Sequence, residues 1–122
     1  MDTKKAANRL YNARRSGCTL HLSDGLPPTV GYAVGREGWE VRLGPESCTA
    51  CLIYLWVQHV QDVWFRLHPE AEWAIGVWYD KGFVYLDVVN VVLDRAEAIE
   101  LGKDRSQLAI YDLEKGEEIR LD

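Results

Sequence analysis

The residues best suited to chemistry are two cysteines three positions apart, Cys48 and Cys51, in the segment Cys-Thr-Ala-Cys. We expect this segment to lie in the first turn of a helix, where the dipole and free N–H groups lower a thiol pKa and favour dithiol redox chemistry. The surrounding pattern argues against a thioredoxin-like protein, because strand–helix alternation and a facing cis-proline candidate are missing. The favoured alternative is two small apolar residues on the buried side of a helix.

Zinc binding is a second chemistry to consider, because Cys18 and His21 add another pair of metal-ligand residue types to Cys48 and Cys51. Residues three apart on a strand point to opposite faces, so Cys18 and His21 reach one metal only if their segment is a turn. No glycine spacing matches a phosphate loop, and no Ser-His-Asp arrangement stands out. We therefore predict no enzyme activity, no resident metal and no cofactor, with Cys48 and Cys51 as the alternative redox or metal site.

Charge is concentrated at the N-terminus. The first 16 residues hold five basic residues against one acidic residue, a local charge of +4, so the total of −5 leaves −9 for residues 17–122. An acidic body disfavours general nucleic-acid binding, whose affinity rests on neutralising phosphates. Nucleic acid is thus an unfavoured partner, and a nucleic-acid-contacting module is the alternative function. Its candidate residues are Lys4, Lys5, Arg9, Arg14 and Arg15.

Length and composition indicate one domain over residues 1–122, because 48% apolar residues in 122 suffice for a hydrophobic core. No run approaches 18 uncharged apolar residues, so we predict no membrane span. The N-terminus has no apolar segment of the secretory type, and three cysteines are an odd number. These features predict a cytoplasmic protein with reduced thiols.

Residue periodicity predicts an α+β fold. We expect a single mostly antiparallel β-sheet with a long central helix and two shorter helices, in the order α-β-β-β-α-β-β-α-β-β. The predicted helices are 3–16, 46–67 and 94–102, and the predicted strands are 18–22, 29–34, 39–43, 71–79, 83–92, 107–113 and 117–121. Tight turns predict hairpins across residues 35–38, 80–82 and 114–116.

The helix at 46–67 is the predicted main core element, because apolar residues cover more than half of its circumference. Ser47 is its expected cap, and His68-Pro69 is expected to end it. We expect Leu55 and Trp56 in the core, so that alanine at either position costs about 2–5 kcal/mol. The full predicted stripe is Cys48, Leu52, Leu55, Trp56, Val60, Val63, Trp64 and Leu67.

The last helix has terminal signals of its own. Asp94 and Glu97 form a predicted capping box, and Gly102 is placed where a left-handed residue would end the helix. Gly116 is expected to adopt a positive φ in the following hairpin. Together these residues predict a strand, a short helix and a hairpin.

Long segments of the chain resemble a family of small uncharacterised proteins encoded by phages and mobile elements, especially those of actinobacteria. The segments are ANRLYNARRSG, LSDGLPPTVGYAVG, AIGVWYDKGFVYLDVVNVV and AEAIELGKDRSQLAIYDLEKGEEI. The resemblance is firmest over residues 78–119 and poor between residues 36 and 69. It implies a cytosolic accessory role and supplies no catalytic residues.

Strand alternation places Trp78 on the face opposite Val77 and Tyr79, and the turn at 80–82 brings Tyr85 near it. An exposed aromatic cluster is typical of a protein-binding site, and acidic neighbours steer such a site towards a basic partner. The alternative is a sheet covered on both faces, with Trp78 in the core. The predicted partner-binding residues are Trp78, Tyr85, Asp80 and Asp87.

The leading prediction is a non-enzymatic accessory protein that binds a host or phage protein. Inhibition of a host defence complex is one concrete form of that role, and it rests on the family resemblance. A homodimer is a further candidate assembly, because an exposed aromatic patch also favours self-association.

Overall fold

The structure is a computed structural model that describes residues 1–36, 38–67 and 72–122. These residues contain three helices and seven strands. Their order matches the predicted α+β arrangement. The helices are α1 (Thr3–Asn12), α2 (Ala50–Leu67) and α3 (Arg95–Asp104). The strands are β1 (Cys18–His21), β2 (Tyr32–Val34), β3 (Val41–Leu43), β4 (Trp73–Asp80), β5 (Phe83–Val92), β6 (Ala109–Asp112) and β7 (Glu117–Arg120). Among these residues, no helix is long and apolar enough to cross a membrane.

The hairpin of β4 and β5 forms the centre of the sheet. Asp80 pairs with Phe83, which leaves Lys81 and Gly82 as a two-residue loop. Both loop residues have positive φ, 49° and 87°, as a type I′ turn requires. The predicted hairpin at residues 80–82 is therefore confirmed.

Two short strands share the other edge of β5. The strand order is β1-β4-β5-β2-β6-β7, with β3 pairing β5, and every recorded strand pair is antiparallel. Val34 lies opposite Asn90, whereas Val41 lies opposite Leu86. The predicted hairpin across residues 35–38 is therefore wrong. The ten-residue β5 offers an edge long enough for two partners, so β2 and β3 pair with β5 instead of with each other.

All three helices pack on one face of the sheet, which we call the covered face. Its main core combines Ile75 and Leu86 with buried residues of α1 and α2. A second cluster under α3 contains Val34, Ala98 and Ile110. Val34 pairs with Asn90, which lies on the same side of β5 as Leu86, so both clusters belong to this face.

The opposite face, which we call the open face, is formed by the alternate residues of the same strands. Towards one end, Ala74, Val89 and Val91 form a small buried cluster with Ala33 and Leu113. Towards the β4–β5 turn, the side chains become large and exposed. The described helices therefore bury one face and leave much of the other to solvent.

Helix α2 begins later and presents a different stripe from the one predicted. Its first residue is Ala50, and the hydroxyl of Thr49 accepts a hydrogen bond from the Leu52 N–H at 3.1 Å. Thr49, and not Ser47, thus occupies the capping position. The helix is central, as predicted, because its residues are part of the main core.

The core residues of α2 are Ile53, Val57 and Val60, which are at most 2% exposed. The predicted core position of Leu55 is wrong, since 57% of this residue is exposed. Trp56 is only partly buried. A helix that is apolar most of the way round does not reveal which stripe faces the sheet, and this ambiguity explains the error. The side chains of Trp64 and Leu67, and all of His68, Pro69 and Ala71, lie outside the described residues.

The Asp94 carboxylate caps α3 by accepting a hydrogen bond from the Glu97 N–H at 2.9 Å, as predicted. The predicted end at Gly102 is wrong, because the helix continues to Asp104. A Cβ at Gly102 would lie 2.6 Å from Leu121 Cδ1 and 2.9 Å from Ile110 Cγ2. The glycine therefore permits close packing of α3. Gly116 has the predicted positive φ, 67°, before β7.

Candidate functional site

The exposed end of the open face carries a stacked aromatic pair. Trp78 and Tyr85 are register partners on β4 and β5, and their ring centroids are 4.1 Å apart with an interplanar angle of 9°. Trp78 is 37% exposed, and Phe83 on the same face is equally exposed. Since the three helices pack on the other face, the alternative that places Trp78 beneath a helix does not describe this structure.

A carboxylate lies behind the aromatic pair. Asp87 is the register partner of Gly76, and its side chain accepts a hydrogen bond from the Trp78 side chain. A Cβ at Gly76 would lie only 2.6 Å from Asp87 Oδ1. The absence of a side chain at residue 76 thus lets the carboxylate lie across β4 and reach the indole N–H.

The environment of Asp87 favours its neutral form. Burial and the nearby negative charge of Glu40 together raise the pKa of Asp87 to about 6, and burial is the larger cause. Hydrogen bonds from Trp78 and from the backbone oppose this shift because they stabilise the carboxylate. Burial also raises the pKa of Glu40. Asp87 is therefore mainly ionised at pH 7 and mainly protonated at pH 5.

Two further charged residues near this site were missed from the sequence. Pairing of β3 with β5 puts Arg42 opposite Tyr85 and brings Glu40 into the field of Asp87. The Arg42 guanidinium carbon lies 4.6 Å from the centroid of the Phe83 ring. Both missed residues lie within the predicted strand 39–43, but that strand was predicted to pair with strand 29–34, whereas it pairs with β5.

The site has a defined extent. A pocket of about 410 Å³ adjoins it, and Glu40, Asp87, Arg36 and Gln107 are among the residues that line this pocket. Asp80 is exposed next to the β4–β5 turn, at the end of the same face. We use the name acidic–aromatic patch for Trp78, Phe83, Tyr85, Glu40, Asp80 and Asp87. The structure brings together the four residues selected from the sequence, although Asp87 lies behind the rings and not at the rim.

This protein repeatedly places its own arginines over aromatic rings. Besides Arg42, three guanidinium carbons lie between 4.1 and 5.6 Å from ring centroids. These pairs are Arg14 with Tyr11, Arg15 with Tyr79 and Arg36 with Trp39. No such contact involves Trp78 or Tyr85 among the described residues. A cationic side chain from another molecule would find both a ring and carboxylates there.

The basic residues proposed for nucleic-acid contact are largely engaged with the protein itself. Arg9 donates to the Gly25 carbonyl at 3.4 Å, and Arg14 donates to the Tyr11 carbonyl at 2.9 Å. Arg15 lies over Tyr79. Lys4 and Lys5 are exposed on α1. The structure thus places the five residues Lys4, Lys5, Arg9, Arg14 and Arg15 in or just after α1, with the arginines directed in part to internal partners.

The two cysteines of the alternative redox or metal site have different surroundings. Cys48 is buried before α2, whereas Cys51 is exposed in the first turn of the helix. Burial raises the pKa of the Cys48 thiol, which is opposite to the expected effect of the helix dipole. Within residues 1–36, 38–67 and 72–122, no group of three or more His, Cys, Asp or Glu residues could hold a metal ion.

Comparison with known proteins provides no match at a significant level. No protein-family model matches the chain, no curated protein matches it, and no solved structure matches it. The function of the protein is therefore inferred from the geometry of the acidic–aromatic patch.

Proposed function

We propose that this protein is a non-enzymatic binding module whose acidic–aromatic patch holds a basic segment of a partner protein. The observation that carries the proposal is the stack of the exposed Trp78 on the half-buried Tyr85, with the Asp87 carboxylate hydrogen-bonded to Trp78. Aromatic side chains supply large contact areas with few rotatable bonds, and they dominate the binding energy of many interfaces.

The charges around the patch determine which sign of charge a partner surface needs. Asp87, Glu40 and Asp80 are acidic, and Arg42 is the basic residue beside them. The region from residue 17 onwards has nine more acidic than basic residues, since 14 basic and 19 acidic residues in the chain include five and one within residues 1–16. Such a field attracts a basic surface and accelerates its association.

Arginine is the side chain that suits this patch best. Its planar guanidinium stacks on aromatic faces and donates to carboxylates in pairs of hydrogen bonds. The stacked rings supply the face, and Asp87 with Glu40 supplies acceptors close to it. A lysine could satisfy the charge but would lose the planar stacking.

The resemblance to phage and mobile-element proteins suggests where such a partner occurs. We propose an accessory protein that acts in the cytoplasm by occupying a host or phage protein. Complexes that handle nucleic acid present basic surfaces, so a host defence complex is a concrete candidate target. Occupation of its basic surface would inhibit it by competition with its nucleic acid.

Binding of a short fluorescent arginine-rich peptide tests the chemistry of the patch directly. We expect Trp78→Ala to weaken binding about fivefold or more, because a cation–π contact contributes about 1 kcal/mol at a partly exposed site. Tyr79→Ala is a matched control, since Tyr79 is the next residue, is 39% exposed and lies on the other face. A glutamate-rich peptide should not bind.

Equal loss in the two variants, or failure of the wild-type protein to bind the peptide, would contradict the proposal. The same variants then identify the natural partner by affinity capture from a host lysate. The expected partner is retained by the wild-type protein and Tyr79→Ala but not by Trp78→Ala. Its contact surface should be rich in arginine.

A further inference from the structure

A second pocket lies where the two clusters of the covered face meet. It has a volume of about 390 Å³, which is within the range of small-ligand sites. Trp73 and Asn90 contribute from the sheet, Leu101 contributes from α3 and Arg105 from its C-cap, and Arg36 lies two residues after β2. We call this feature the seam pocket. It is separate from the acidic–aromatic patch, although Arg36 lines the pockets at both places.

Arg105 is held in position by neutral oxygen atoms. Its Nη2 donates to Asn90 Oδ1 at 2.6 Å, and its Nη1 is 3.4 Å from the carbonyl oxygens of Val34 and Gly35. Asn90 is itself only 8% exposed, and its Nδ2 donates to the Glu72 carbonyl at 3.4 Å. A guanidinium has five N–H groups, so at least two remain without an acceptor among the described residues.

Arg36 adds a second positive charge close to Arg105. Burial lowers the pKa of Arg105, and the charge of Arg36 lowers it further. The Arg36 guanidinium carbon lies 4.3 Å from the Trp39 ring centroid. In the described part of the chain, no ion pair includes either arginine. Two neighbouring guanidiniums with neutral partners repel each other, and an anion between them would remove that cost.

The acidic residue that lines the seam pocket does not supply this anion. Glu72 lines the seam pocket, and its main-chain carbonyl accepts a hydrogen bond from the Asn90 side chain. Its carboxylate oxygen Oε2 instead lies 3.9 Å from Nδ1 of His21. His21 belongs to β1, whereas Arg105 follows the last residue of α3, so the recorded contact of this carboxylate is with another part of the molecule.

We propose that the seam pocket binds a small oxyanion, a phosphate or carboxylate group, between the guanidiniums of Arg36 and Arg105. Arginine binds both groups through paired N–H donors, and the hydrogen bonds of Arg105 to Asn90, Val34 and Gly35 orient it in advance. This inference goes beyond the proposed protein-binding role, because it concerns the other face and a ligand of opposite charge.

Calorimetric titration with inorganic phosphate and with acetate, at pH 7 and constant ionic strength, tests the inference. We expect saturable binding of at least one anion with a stoichiometry of one. Arg36→Gln and Arg105→Gln should each weaken that binding about tenfold or more. Arg95→Gln is the control, because Arg95 is an exposed residue of the same helix that does not line the pocket. Circular dichroism verifies that each variant is folded.

The anions distinguish the two sources of the oxyanion. Saturation by phosphate alone supports a phosphate-bearing ligand, and saturation by acetate alone supports a carboxylate ligand. Absence of saturation by either at about 10 mM would overturn the inference, as would an equal loss in Arg95→Gln. Arg36 is exposed, and its side chain makes no hydrogen bond among the described residues, so Arg36→Gln remains informative if Arg105→Gln does not fold.

Discussion

The two faces of the sheet are made from alternate residues of the same strands, yet their chemistry is opposite. On β4, Val77 is 2% exposed in the main core, and the next residue, Trp78, is 37% exposed on the open face. On β5, Leu86 is fully buried, and the next residue, Asp87, carries a carboxylate. A strand therefore serves stability with one set of residues and remains free to serve binding with the other.

The difference also appears in electrostatics. Hydrophobic contacts dominate the main core on the covered face, whereas the open face has a carboxyl group whose pKa is raised to about 6 by burial and by Glu40. Keeping Asp87 ionised at neutral pH opposes folding. Groups with strongly shifted pKa values are concentrated at functional sites, which agrees with a binding role for this face.

The largest expected effect is on the covered face. Ile53→Ala should lower the free energy of unfolding by about 2–5 kcal/mol, because Ile53 is fully buried and its removal leaves a cavity. Leu55→Ala, two residues away in the same helix, should cost less than about 0.5 kcal/mol because Leu55 is exposed. Urea denaturation measures both. Similar losses of stability at the two positions would show that a different stripe of α2 packs on the covered face.

We expect the stability of the protein to depend on pH through Asp87, a residue of the open face. The unfolded-state pKa of an aspartate is about 3.9, and the folded-state pKa of Asp87 is about 6, so the folded protein binds more protons between these values. The contribution of Asp87 to stability is therefore greatest below about pH 4 and is lost as pH rises through about 6. The loss corresponds to as much as about 3 kcal/mol.

Asp87→Asn removes this titration while retaining a hydrogen-bond acceptor for Trp78. We expect the variant to unfold at a higher urea concentration than the wild-type protein at pH 7.5, with the difference disappearing at pH 4. Asp80→Asn is the control, because Asp80 is an exposed carboxylate at the β4–β5 turn. A wild-type pH dependence in Asp87→Asn would mean that another group causes it.

Adjacent substitutions on β4 compare the faces most directly. Val77→Ala should cost about 2 kcal/mol through lost burial and a small cavity. Trp78→Ala should cost about 1 kcal/mol, although it removes more atoms, because it loses mainly the stack on Tyr85 and one hydrogen bond. Thermal unfolding gives both values. Unfolding of Trp78→Ala at room temperature would make Trp78 a core residue and would contradict the proposed site.

Local signals in the sequence were sufficient to predict the element order and the central hairpin. The Asp80–Gly82 turn and the alternation along β4 fix which residues lie opposite one another, so the proximity of Trp78 and Tyr85 follows. The Asp94 cap is similarly local. Such features depend on residues a few positions apart, which is why one sequence reveals them.

The remaining features depend on contacts between distant segments. Glu40 and Arg42 join the patch only because β3 pairs with β5, and no short-range pattern specifies that pairing. Arg36 and Arg105 are 69 positions apart and meet only through the packing of α3 on β2. The stripe of α2 was misjudged for a related reason, since the sheet selects among several apolar faces. Periodicity identifies elements and leaves their partners open.

The smallest expected effect concerns Arg42, the basic residue within the acidic surroundings of the patch. Arg42→Gln should change the free energy of unfolding by less than about 0.5 kcal/mol, because the guanidinium only covers the exposed ring of Phe83. It should nevertheless tighten binding of the arginine-rich peptide about twofold to threefold, since one repulsive charge is removed and the Phe83 ring becomes accessible. Arg95→Gln, which removes the same charge from α3, should have no such effect. Fluorescence anisotropy at low salt measures the gain, and added salt should reduce it. Weaker binding by Arg42→Gln would show that the Arg42 side chain helps to hold the peptide, which would contradict the repulsive role assigned to it here.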